Sequence, residues 1–93
     1  MTDSLIALVR SYTEKINNGR TIEDVNEYLN DETVELSEEV YTDIPGEDGI
    51  AGEAIDVILC ALDIIFLSAP DMSDEDIINY ARKKCEKWAS KYG

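Results

Sequence analysis

Apolar residues recur along this chain at steps of three and four, and never in strict alternation. Leu5, Leu8, Val9, Tyr12 and Ile16 make one stripe of a helix predicted over about residues 3–18. Asn17, Asn18 and Gly19 end it, with Gly19 supplying a left-handed residue after the last turn. Thr21 follows as an N-cap, and Asp24, three residues on, completes an approximate capping box. A second helix is predicted over about residues 22–41, its core stripe formed by Ile22, Val25, Leu29, Leu36 and Val40. Pro45, Gly46 and Gly49 make residues 42–49 a loop. The third helix, about residues 50–68, is apolar on nearly every side and stops before Pro70. Ser73 caps the fourth, whose first turn holds Asp74, Glu75 and Asp76 at the positive end of the helix dipole. That helix carries Ile77, Ile78, Tyr80, Ala81, Cys85, Trp88 and Ala89. With no period of two, no strand is expected. Residues 1–93 read as a single all-α domain, an antiparallel four-helix bundle.

Charge narrows the choice of partner. Twenty-one Asp and Glu against eight Lys and Arg, with no His, give −13. Such a surface repels nucleic-acid phosphates and anionic lipids and attracts cations, so neither a nucleic acid nor a membrane is an expected partner. No apolar run reaches membrane-spanning length, and the first residues lack the basic start of a signal peptide, so a cytoplasmic protein is expected. Cys60 and Cys85 lie inside helical patterns without metal-ligand spacing and read as buried free thiols.

The third helix poses a problem, because Glu53, Asp56 and Asp63 share one of its faces. An unpaired carboxylate taken out of water costs several kcal/mol, so it protonates or finds a partner. No Lys or Arg lies nearby in sequence, which makes a hard divalent cation such as Mg²⁺ the economical partner. The second helix offers a matching set in Glu32, Glu35 and Glu39, with Glu38 on the adjoining edge. If the two helices pack antiparallel across the 42–49 loop, two acidic rows meet and need cations between them.

This order of acids resembles the MazG-type all-α nucleoside triphosphate pyrophosphohydrolases, whose pattern is EExxE, a spacer, then ExxD. Asp31-Glu32-x-x-Glu35 stands for the first motif, with Asp in place of the first Glu, and Glu53-x-x-Asp56 for the second. Residues 36–52 are the spacer, and "GRTIEDVNEYLNDETVEL" resembles the lead-in to the family's first acidic helix. The likeness covers about residues 19–67, and the fourth helix matches loosely.

The resemblance implies Mg²⁺-dependent hydrolysis of an NTP or dNTP to the monophosphate and pyrophosphate, with Mn²⁺ as a substitute ion. It implies Glu32, Glu35, Glu53 and Asp56 as metal ligands and either Glu35 or Glu38 as the base that orients water. Lys84, Lys87 and Trp88 are its candidates for phosphates and base, and a homodimer or homotetramer is its expected assembly. The surplus of apolar residues on the third helix points to an oligomer as well. The competing class is a non-enzymatic acidic interaction protein, such as a mimic of DNA charge.

Overall fold

The computed structural model describes residues 4–16, 18–42, 44 and 46–92. Four helices follow in order: α1 (Leu5–Thr13), α2 (Ile22–Val40), α3 (Gly49–Ser68) and α4 (Asp74–Tyr92). No strand occurs among the described residues. No described helix is long and apolar enough to cross a membrane. The expected start of the first helix at Asp3, the Asn17 stop signal and Pro45 of the loop lie outside the described residues.

Three of the four helices match their sequence signals closely. Thr21 caps α2 in a complete box: its hydroxyl accepts from Asp24 N at 3.1 Å, and Asp24 Oδ2 accepts from Thr21 N at 2.9 Å. Ser73 and Asp76 form the same reciprocal pair before α4. The first helix is shorter than its apolar stripe suggested. Ser4 caps it, accepting from Ala7 N, and regular α geometry ends at Thr13. Beyond that the backbone tightens, with Lys15 N donating to Tyr12 O and Ile16 N to Thr13 O.

Arg20 explains the early end. Its guanidinium donates through Nη1 to Ile16 O at 2.8 Å and through Nη2 to Thr13 O at 3.4 Å, taking up carbonyls that a longer helix would have used. The same side chain meets Asp63 of α3 with two bonds, Nε to Oδ2 at 2.6 Å and Nη2 to Oδ1 at 2.7 Å. Both side chains of this fork are 12 % exposed. Asp63 raises the Arg20 pKa further through this hydrogen bond, with desolvation opposing and its charge assisting. Asp63 is therefore partnered, by a cation 43 residues away in sequence rather than by a near neighbour.

The α2–α3 hairpin is the main packed pair, with α1 laid against α3. Ile6, Val9, Leu62 and Ile77 form the core cluster, with Ile65, Phe66 and Met72 packed on it. Arg10 roots α4 beside them. It donates to Asp74 Oδ1 at 2.6 Å and to Met72 O at 3.1 Å, and its guanidinium stacks 4.3 Å above the Phe66 ring. After Ile77, α4 leaves the packed unit, and every described residue from Ile78 to Tyr92 is exposed. The radius of gyration is 15.0 Å, against about 12 Å for a compact chain of this length. Cys85, expected to be buried, is exposed for this reason, while Cys60 is half-buried.

Asp63→Ala leaves the Arg20 charge without its partner and is expected to cost about 3 kcal/mol in urea unfolding. Replacing both residues by apolar ones recovers most of that loss, but not the carbonyl bonds that Arg20 makes to the end of α1. A double variant no more stable than Asp63→Ala alone would show that the loss does not come from an unpartnered Arg20 charge.

Candidate metal centre

The antiparallel register brings the acidic halves of α2 and α3 together. Near the α2 start, Val25 and Tyr28 share a lining with Leu59, Cys60 and Asp63 of α3. Further along α2, Glu32 and Glu35 reach the earlier α3 residue Glu53, and single carboxylate oxygens of the three lie within 4.8 Å of one another. Asp48, Glu53 and Asp56 form a second such group, so Glu53 belongs to both. The four residues Glu32, Glu35, Glu53 and Asp56 named from the sequence thus fall into one seam.

The seam is short of hydrogen-bond donors. Glu32 Oε2 and Glu53 Oε2 are buried atoms without a partner. Desolvation is the main cause that pushes the Glu32 carboxyl above its ordinary range, followed by the charge of Glu35, a hydrogen bond with it, and the charges of Asp56 and Glu53. Glu53 is raised too, by desolvation first, then by Glu35 and Asp56, with a smaller contribution from Asp48. The Cys60 thiol is pushed up by burial and then by Glu32, Asp56 and Asp63. Orphaned carboxylate oxygens crowded by like charges fit a hard divalent cation. Nearby acidic groups of this kind also occur in proteins without an ion.

Asp48 escaped sequence analysis because an acid before a helix reads as an N-cap. It makes no capping bond. A Cβ on Gly52 would stand 2.5 Å from the Asp48 Cβ, so the missing side chain at Gly52 is what lets Asp48 lie over the first turn of α3. That glycine was the available signal. Gly49 supplies the left-handed entry at φ +70°.

Other acids of the row go elsewhere. Glu39 Oε1 accepts from Gly46 N at 2.6 Å and ties down the loop. Glu38 is exposed and belongs to neither group. Lys84, Lys87 and Trp88 are exposed on the projecting part of α4. Lys84 Nζ lies 5.7 Å from the Tyr80 ring centroid, and Trp88 meets Tyr92 edge-to-face at 6.4 Å. Within one chain they are not gathered with the acids. Comparison with protein-family models, curated proteins and solved structures finds no match to the chain.

The raised carboxyls give a signed pH dependence in metal-free buffer. The folded chain keeps protons on Glu32 and Glu53 that the unfolded chain has released. Their contribution is therefore most favourable below the unfolded carboxylate range and declines as pH rises through about 4 toward the folded values. Glu53→Gln removes its share of that decline. Its stability relative to wild type in EDTA is expected to grow from acid to neutral pH, read by urea unfolding. A difference that shrinks over this range would contradict the assignment.

Proposed function

We propose that the chain is a divalent-metal-dependent nucleoside triphosphate pyrophosphohydrolase of the MazG type, working as a homo-oligomer. The observation that carries this reading is the α2–α3 seam, where the residues of the two acidic motifs converge with two orphaned oxygens. Glu32, Glu35, Glu53 and Asp56 would hold Mg²⁺, and Asp48 joins them as a further candidate ligand. The bound ion would neutralise the triphosphate and make a coordinated water more acidic.

The chain's own residues have three tasks. The seam carboxylates exclude a bare polyphosphate and admit one only with its counter-ions. Glu35, exposed but grouped with Glu32 and Glu53, and Glu38, exposed outside that group, are the two candidates for accepting the proton of the attacking water. Exposed aromatic and basic side chains on α4, Lys84, Lys87 and Trp88, would serve base and phosphates from a neighbouring subunit. The antiparallel bundle would then close through α4 between copies, as a dimer or tetramer.

An acidic interaction protein is the second reading, favoured by the exposed Glu23, Glu27, Asp31 and Glu38 along α2. It leaves the half-buried part of the seam without a purpose.

Pyrophosphate release from a panel of NTPs and dNTPs with Mg²⁺ separates the two. Asp56→Ala is expected to lower the rate by more than about 100-fold, since even outer residues of metal sites cost 10–100-fold. Mg²⁺ at constant ionic strength should also raise the Tm of wild type and not of Asp56→Ala. Silence across the panel, together with a Tm indifferent to Mg²⁺, would favour the interaction protein.

A further inference from the structure

The fourth helix is long and is held at few points. The closely packed helix pairs are α2–α3 and α1–α3, and α4 belongs to neither. Among the described residues, one hydrogen bond joins α4 to another helix, from Arg10 Nε to Asp74 Oδ1 at 2.6 Å. About one turn further on, Ile77 sits in the cluster of Ile6, Val9 and Leu62. Open space adjoins this root on either side of Tyr80. A cavity of about 390 Å³ runs past Ile65, Ser68 and Ala81, and one of about 710 Å³ past Pro70, Asn79 and Lys83.

The two anchors differ in kind. Ile77 is an apolar knob, and apolar burial is non-directional, so a helix can tilt about such a contact and keep it. Arg10 is directional. The edge of its guanidinium meets Asp74 and, 3.1 Å from Nη2, the Met72 carbonyl, while its face lies 4.3 Å from the centre of the Phe66 ring. One planar group thus ties α1, α3, the turn before α4 and the first residue of α4 together. A lysine supplies the charge but not the plane. The Arg10 and Asp74 side chains are 24 % and 37 % exposed, so salt screens the pair incompletely.

Residues 69–73 are the whole connection between α3 and α4, so any change in the direction of α4 is taken up there. Length then amplifies it. Trp88 lies about 21 Å along the axis from Asp74, and a tilt of about 20° at the root carries it by about 7 Å.

We infer that Arg10 is a positioning residue: its guanidinium sets the direction of α4, which without it is a lever that tilts at residues 69–73. In the pyrophosphohydrolase reading, on which this role depends, Arg10 places Lys84, Lys87 and Trp88 for the nucleotide without belonging to the carboxylate groups of the seam.

The direction of α4 is read as a distance. Cys60→Ser with Glu27→Cys leaves two exposed thiols, at position 27 on α2 and at Cys85 on α4, and both take a spin label. Excess unlabelled chain removes distances between copies. Double electron–electron resonance should give one narrow distribution with Arg10 present. Arg10→Lys should widen it at least about twofold at unchanged helicity by circular dichroism. Ile77→Val trims the knob, spares the guanidinium contacts and should leave the distribution narrow. An Arg10→Lys chain as narrow as its parent overturns the inference. So does a parent that is already broad, or an Ile77→Val chain that widens as much as Arg10→Lys.

The substrate role has its own readout in pyrophosphate release with Mg²⁺. Arg10→Lys should raise KM at least about fivefold and leave kcat within about twofold, because the seam carboxylates are untouched. An unchanged KM overturns that role. A wild type silent on every NTP and dNTP overturns the pyrophosphohydrolase reading and the substrate role with it, whereas the distances still decide the lever.

Discussion

The register between α2 and α3 decides which carboxylates meet, and the Arg20–Asp63 fork anchors it. Arg20 stands one residue before the capped start of α2, so binding Asp63 fixes where α2 begins along α3. From that point both helices advance at about 1.5 Å per residue in opposite senses. Glu32 lies eleven positions beyond Thr21, and Glu53 ten positions before Asp63, so the two carboxylates arrive at similar heights, about 15 Å from the fork. A different pairing of Arg20 would move one acidic row past the other. The fork thus acts at a distance on a site it does not touch, and it also ends α1 by holding the carbonyls of Thr13 and Ile16.

Against that register, the placement of charge is lopsided. Arg10 and Arg20 are both spent near the C-terminal end of α3, Lys15 follows α1, and the other five basic residues lie out on α4. A lysine within the seam would have neutralised Glu32 and Glu53 and raised stability in metal-free solution. It would also have competed with any cation. Leaving two buried oxygens unpartnered costs folding free energy, which a cation bound there would return. The chain is weakly buried besides: among the described residues, Ile6, Val9, Val25, Leu62 and Ile77 are the buried apolar ones.

Local chemistry was legible in the sequence, and distant chemistry was not. The starts of α2 and α4 follow from Thr21, Asp24 and Ser73, whose hydrogen bonds span three residues. The two acidic motifs meet as spacing and helix period require. The end of α1 was misjudged because a side chain beyond it takes its carbonyls, which no periodicity records. Asp63 looked unpartnered for a similar reason, its cation lying on another element. Asp48 was missed because its role depends on the absent side chain of Gly52. Cys85 was expected in a core because an amphipathic pattern says that a face will be covered and is silent on which molecule covers it.

That silence bears on the residues proposed for the substrate. α4 starts after Ser68, fifteen positions along α3 from Glu53, about 22 Å away on a straight helix. Its root is held there by Arg10, and its outer half is exposed. Lys84, Lys87 and Trp88 can therefore serve a triphosphate at the α2–α3 seam only if they come from another copy. In that arrangement the seam would supply the ligands for a cation and the visiting helix the positive charge and aromatic face for the nucleotide. The acidic body and the basic helix then stop being two oddities of composition. They would be two halves of one surface shared between copies.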